Sequence, residues 1–192
     1  MTLPLTASKM ASDRKLAQCV IKHKRLRNLT REVLEEEIQR AWHLKIAARP
    51  IDEAALAAVD THWQQRHVHF DWHHRILPTL WESHPRRLDI ALWCNGELCG
   101  LMVARLSDAR EWVSITHIEG SPMPIHPLKR LVVPSFLLAA DIFASLIAEE
   151  STTKTKPRVR VMNPLKPVIA WYQSCGYIQF IQERHYSYLT CL

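Results

Sequence analysis

The sequence predicts an α+β fold: a mixed, mainly antiparallel central sheet flanked by helices, with an N-terminal helical extension. Three observations carry this. Asn95-Gly96 separates two runs of strand-type residues and is a strong hairpin signal. A third such run, Trp112–Ile118, follows after a short polar turn, so three consecutive strands form an antiparallel meander. The rest of the chain then alternates helix, strand, helix, strand, which makes the sheet mixed.

Each element has its own warrant. From Ser12 to Asn28, Leu16, Cys19, Val20, His23 and Leu26 recur at helical spacing between lysines and arginines, the pattern of a basic amphipathic helix. Thr30 is placed to cap a second helix, with Glu32, Glu35, Glu36 and Glu37 in the early turns, where the helix dipole favours anions. Leu34, Ile38, Ala41 and Trp42 form its apolar stripe. Residues 43–48 fit either a strand or a helical continuation. Asp52 starts an alanine-rich helix carrying Leu56, Val59 and Trp63. A further helical stretch, Phe70 to Ser83, is interrupted at Pro78. The meander strands are Leu88–Cys94, Glu97–Leu106 and Trp112–Ile118. Pro134 suits the first turn of a helix that carries Phe136, Leu137, Ala140, Phe143 and Ile147 to Glu150. After a polar linker come the strand Arg158–Met162 and a helix from Lys166 to Ser174 that stops at Gly176. The last strands are Tyr177–Gln182 and His185–Leu189.

Composition excludes several classes. With 192 residues, 47% apolar and 23% charged, the chain can bury an ordinary core. Its four glycines lie too far apart for either G-x-x-x-x-G-K-[ST] or G-x-G-x-x-G, which removes P-loop and Rossmann folds. The charge is uneven. Residues 1–31 hold eight basic side chains against Asp13 alone, net +7, and the remaining 161 hold 17 basic and 18 acidic, net −1. The expected division is therefore a basic N-terminal helical arm, 1–42, and a domain, 43–192. Such an arm suits an anionic partner or serves as a solvated helix. No run approaches the ~18 apolar residues of a membrane helix, and five cysteines without C-x-x-C spacing point to free thiols in the cytoplasm.

Histidines crowd around residues 62–84, and His69-x-x-x-His73 has a spacing that can bind zinc on a helix. Without a glutamate after the first histidine or a paired cysteine, no metal site is expected. Trp63, Phe70, Trp72 and Trp81 read as a packed core stripe, with the shaping of a pocket as the alternative. No G-x-S-x-G elbow or nucleic-acid-binding motif occurs.

The segment Asn163-Pro-Leu-Lys-Pro-Val-Ile-Ala170-Trp-Tyr172-Gln-Ser-Cys-Gly176-Tyr177, together with the element order, resembles the GCN5-related N-acetyltransferase (GNAT) superfamily. Members show an asparagine, a helix bearing alanine and tyrosine, then Gly-Phe or Gly-Tyr into the next strand. The resemblance covers about residues 43–190, with Asn163 a little further upstream than in the commonest form. It implies an N-acyltransferase that moves an acetyl group from acetyl-CoA, its cosubstrate, to an amine by direct transfer in a ternary complex. Tyr172 is the implied acid for the departing thiolate. Glu119, with His117 as the alternative, is the implied base on or after the third meander strand. The family holds the pyrophosphate with R/Q-x-x-G-x-G/A, whereas here the interval His126–Ser135 has no glycine. Backbone at Leu131, Val132, Val133 and Ser135, side-chain charge from Lys129 and Arg130, and Asn163 are the expected cofactor contacts, at the N-terminus of the Pro134 helix. The amine acceptor is a small molecule, a protein or an aminoacyl-tRNA. The missing glycines raise a catalytically inactive binding module, and the +7 arm raises an acyltransferase of RNA-linked amines.

Overall fold

The computed structural model describes residues 7–64, 66, 70–79, 84–152 and 154–191. Strands β1 (Ile46–Arg49), β2 (Arg87–Cys94), β3 (Glu97–Leu106), β4 (Trp112–Gly120), β5 (Arg158–Met162), β6 (Gln179–Gln182) and β7 (Ser187–Thr190) form one sheet in the order β1-β2-β3-β4-β5-β7-β6. Only β4 and β5 run parallel; every other neighbouring pair is antiparallel. The fold is the α+β class the sequence predicts. Asn95 and Gly96 both take positive φ, 52° and 81°, as a type I′ hairpin turn requires. Residues 43–48, left open between helix and strand, lead into β1.

The helices are α1 (Ala7–Trp42), α2 (Glu53–His62), α3 (Val132–Glu149) and α4 (Ile169–Ser174), the last entered through a 3-10 turn at Lys166–Val168. α1 and α3 cover one sheet face. Leu26, Leu34 and Ile38 of α1 and Phe136, Ala140 and Phe143 of α3 are buried with Leu88, Ile90, Met102, Val113, Ile115, Val159 and Val161. The opposite face of β2 and β3 is covered by α2 and a π-helical turn at Trp72–Ile76, through Leu56, Val59, Trp63 and Trp72 against Ala91, Leu98, Leu101 and Val103. Asp52 caps α2 as expected, accepting from Ala55 N at 2.9 Å.

Three expectations need correction. The two N-terminal helices are one: Thr30 is buried mid-helix and donates to Leu26 O at 2.8 Å instead of capping. Glu35, expected in a first turn, accepts instead from Ala48 N at 2.7 Å and so satisfies the outer edge of β1. Secondly, residue 42 is no boundary between arm and domain, because the second half of α1 supplies core residues. α1 ends instead on His43, whose φ of 56° and bond to Gln39 O close the last turn. α3 is long and apolar enough to cross a membrane by length and composition, and more than half of it is buried inside the structure, as in a core helix. Finally, the stretch from Phe70 begins as a π turn; His67, His69, Trp81 and the rest of 80–83 lie outside the described residues.

Gly100 on β3 lies under α3. A Cβ there would meet Val132 Cγ1 at 2.6 Å and the Phe136 ring at 3.0 Å. Val132 is β-branched and has no spare rotamer in a helix. Gly100→Ala is therefore expected to destabilise the fold by about 1–3 kcal/mol, read as a lowered urea midpoint at unchanged slope. Leu34→Ala should cost about 2–5 kcal/mol, while neutralising exposed Arg14 and Lys15 should change stability by under about 0.5 kcal/mol.

Candidate active site

β4 and β5 start level but do not end level. Their pairing runs from Trp112↔Arg158 to Ile115↔Val161 and stops, while β4 continues to Gly120 beside β3 alone. The gap is a cleft of ≈ 350 Å³ lined by Ile115–Met123, by Val161 and Met162 at the end of β5 and Asn163–Leu165 beyond it, and by Phe70, His126, Lys129, Val133 and Tyr172. On its floor the backbone of Thr116–Gly120 presents a strand edge that β5 does not pair. A bulge at Thr116 shifts the register between Val103↔His117 and Ala104↔Ile115 and re-aims the residues that follow.

His117 and Glu119, two apart beyond the bulge, share one face of β4. They are thus neighbours rather than alternatives. Glu119 is buried and its carboxylate is clamped. Arg66 donates through Nε to Oε1 at 2.6 Å and through Nη2 to Oε2 at 2.5 Å, and Trp72 Nε1 donates to Oε2 at 2.7 Å. Arg66 also donates to Phe70 O at 2.8 Å, so one carboxylate ties the chain after α2 to the third meander strand. Sequence reasoning missed Arg66: no spacing rule links it to a residue 53 positions away.

His117 packs edge-on to Phe70 and Trp72, with ring centroids 5.1 and 6.2 Å apart. Burial holds its pKa below the usual 6.5, so the ring is neutral at pH 7. Its Nδ1 lies 3.0 Å from Thr116 Oγ1, whose own hydroxyl donates to Val103 O at 3.2 Å. With that proton committed, Thr116 Oγ1 accepts, Nδ1 carries the imidazole proton, and Nε2 holds the free lone pair. His117, Thr116 and Phe70 also wall a second cavity of ≈ 430 Å³ that includes Asp71, Arg75, His84 and Arg105. His117 therefore stands between two chambers.

Tyr172 reaches the cleft from the α3 side of the sheet, where it belongs to the main core. Burial pushes its pKa up to about 12, with Cys175 adding to it. Its hydroxyl makes no hydrogen bond to another described residue. It stays protonated across the physiological range and remains a donor without an acceptor among the described residues. The aromatic set divides: Trp63 and Trp72 are core, and Phe70 lines both cavities.

Of the expected cofactor contacts, Lys129, Val133 and Asn163 line the cleft; Arg130, Leu131, Val132 and Ser135 do not. Ser135 is fully buried and its hydroxyl donates to Leu131 O at 2.7 Å. Val132 packs over Gly100, and Arg130 is exposed in a left-handed conformation with φ 67°. Turns take several of the loop's N–H groups: Lys129 N donates to His126 O, and Leu131 N and Val132 N both to Leu128 O. Pro134 has none to offer. Val133 N–H, with no acceptor among the described residues, is left at the start of α3. Lys129 Nζ donates to Pro124 O, and His126 Nδ1 is buried at the cleft wall without a hydrogen-bond partner among the described residues. Asn163, with φ 45°, donates its N–H to Ser187 O at 2.7 Å and accepts from Ser187 N at 3.0 Å, fixing β5 to β7 where β5 leaves the sheet. No cluster of metal-ligating side chains occurs among the described residues; His73 Nε2 lies 3.0 Å from Asp60.

No family model matches the chain, and no curated protein does. Among solved structures it is similar to the ribosomal-protein-S18-alanine N-acetyltransferase from Escherichia coli (13% identity, 76% of this chain, 90% of that one, TM-score 0.48). It is also similar to Arabidopsis thaliana Naa50 in complex with a bisubstrate analogue (9% identity, 76% and 96%, TM-score 0.45). A Bacillus subtilis acetyltransferase in complex with CoA is comparable (16% identity, 77% and 97%, TM-score 0.45). The mixed, mainly antiparallel sheet with its flanking helices is the α+β architecture that the sequence predicts. At these identities and TM-scores the likenesses assign no activity, and what the cleft can do follows from its own residues.

The Arg66–Glu119 clamp is the most exposed to test. Glu119→Gln leaves a largely buried guanidinium without its counter-charge, and stability is expected to fall by about 3 kcal/mol. The double variant Arg66→Leu/Glu119→Leu should lose clearly less, as a double-mutant cycle on urea midpoints will show.

Proposed function

We propose that this chain is an acyl-CoA-dependent N-acyltransferase that passes an acetyl group directly to an amine. The single observation that carries the proposal is the cleft where β4 outruns β5, with a neutral histidine on one side of the gap and a protonated tyrosine on the other.

The residues present fit an acyl-CoA. The unpaired edge of β4 at Thr116–Gly120 suits an extended amide-bearing chain added as a strand. The N-terminus of α3, through Val133 N–H with Lys129 beside it, suits the pyrophosphate, and His126 Nδ1 offers one further polar contact. Acetyl-CoA supplies the activated acyl group as a thioester. The protein's part is proton handling. His117 Nε2 takes a proton from the amine entering from the second cavity, and the Tyr172 hydroxyl donates to the departing thiolate sulfur. Glu119, its oxygens occupied by Arg66 and Trp72, holds His117 and Phe70 in place. The order of preference between the two candidate bases is thus reversed. Five free thiols suit a reducing compartment, and we place the protein in the cytoplasm.

One observation favours an inactive binding module instead: the interval His126–Ser135 has no glycine, and the N–H groups of Leu131, Val132 and Ser135 around the start of α3 are bonded within its turns. Calorimetry with acetyl-CoA decides between the two. Binding that weakens in Lys129→Ala supports the enzyme, and no heat at millimolar ligand sinks it.

With binding established, thiol release across a panel of amines should show Tyr172→Phe slowed about 100-fold or more, with affinity retained. His117 acts when neutral, and its pKa lies below 6.5. The acid limb of kcat/KM should accordingly fall only below that pH and should vanish in His117→Ala.

A further inference from the structure

The sheet face that α2 and the π turn cover is not covered throughout. Strand register places Arg87, Arg105, Ser114, Arg160 and Thr190 in a single row across β2, β3, β4, β5 and β7, and directly paired residues face the same side. Beside that row lie Trp112 and Arg158, themselves a cross-strand pair, and Tyr188. The α2 contacts end at Ala91, Leu98, Leu101 and Val103. Past them, Arg105, Arg158 and Tyr186 are exposed, and Trp112 and Arg160 are half-buried.

These side chains form a stack. Tyr186 lies on Tyr188, rings 6.2 Å apart and inclined by 30°, and Tyr188 meets Trp112 edge-on at 5.7 Å. The Arg160 guanidinium sits 4.8 Å from the Trp112 ring centre, 5.2 Å from Tyr188 and 6.0 Å from Tyr186; that of Arg158 is 4.1 Å from Trp112. Arg160 Nε donates to Ser114 Oγ at 2.9 Å, so its plane is fixed while its terminal nitrogens make no hydrogen bond to a described residue. The acids nearby are Asp108, which pairs with Arg86, Glu111 just before β4, Glu183 just after β6, and Asp71, which shares the second cavity with Arg105; the row and its flanks hold Arg87, Arg105, Arg158, Arg160 and Arg184.

We propose that this open face binds a single-stranded nucleic acid, with bases stacking on Tyr186 and on the Trp112–arginine layer and phosphates meeting Arg105, Arg158 and Arg160. Planar faces and fixed guanidinium groups side by side are what such a strand uses, since every base has a flat face and every link a negative charge. An acidic polypeptide would use the charge and leave the rings idle. The surface adjoins the second cavity, because Arg105 belongs to both. It stands on contacts separate from the cleft, so it survives or fails independently of acyl transfer.

The test is fluorescence anisotropy with labelled 12-mer RNA and DNA at about 50 mM salt. Binding of either is expected, with a log–log salt slope of about −2 for three phosphate contacts. Tyr186→Ala and Arg160→Ala should each weaken it roughly tenfold or more, and Arg160→Ala should also flatten the slope by about 0.7. Tyr186 is an exposed turn residue, so its variant remains informative should Arg160→Ala not fold. Three results would overturn the proposal: no anisotropy change with either strand, both variants binding like wild type while only neutralising Arg14 and Lys15 abolishes binding, or poly-glutamate competing as well as the oligonucleotide.

Discussion

The parallel pairing of a nine-residue β4 with a five-residue β5 is the constraint on which the rest depends. The strands begin level, so their whole difference in length appears at the carboxyl ends, as a gap in the sheet. Parallel neighbours also need a crossover. The chain leaving β4 must turn at that same end before α3 runs back to the start of β5, which brings the N-terminus of α3 to the mouth of the gap. By the same rule α4 follows the carboxyl end of β5 and delivers Tyr172 there. A positive helix end, an unpaired strand edge and a buried phenol are thus one consequence of topology. Ligands collect at such ends in open parallel sheets generally.

Much of this was legible because it rests on local chemistry. Asn95-Gly96 admits a two-residue hairpin whatever surrounds it, and Gly176, with φ 93°, stops α4 without a Cβ penalty. Asp52 caps α2 through its own backbone neighbourhood. The misread elements are those whose partner lies far along the chain. Thr30 has the chemistry of a cap, yet burial against the sheet makes a continuous α1 the better solution, and its hydroxyl turns inward. Glu35 looked like a first-turn anion until β1 supplied an edge N–H. The Arg66–Glu119 clamp and the row of arginines on the open face exist only once register is known.

The basic charge of the first 31 residues also changes meaning. Arg27 and Arg31 are nearly buried, and burial lowers the pKa of each below that of a free guanidinium. Arg27 donates to Pro85 O at 2.9 Å, and Arg31 to Asp89 O at 2.8 Å. Next to Asp89 the edge of β2 lies beyond the reach of β1, whose pairing covers only Ala91–Cys94. Arg31 therefore serves the strand edge that β1 leaves open, and Asp89 in turn accepts from Ile51 N at 3.1 Å. Two of the charges that suggested an anionic partner are structural. Others of that stretch, among them Arg14, Lys15 and Lys24, remain exposed, as do Arg105 on β3 and Arg158 on β5.

The glycine-free loop follows from how α3 sits on the sheet. A glycine loop brings backbone close to an anion by removing side chains from the loop. Here the close approach is made from the other direction: Gly100 on β3 and Gly120 on β4 leave room for Val132 Cγ1, which would lie 2.6 and 3.8 Å from a Cβ at those positions. Leu128, Val132 and Phe136 then bury against the strands, and the loop tightens into turns that consume its N–H groups. This arrangement gains apolar burial and ties Leu131, Val132 and Ser135 N–H into turns, so under the proposed function an anion at α3 would rely on Val133 N–H and on charge from Lys129, an attraction that salt weakens. The close approach that a glycine permits occurs here in the sheet, at Gly100 beneath Val132, and not in the loop above it.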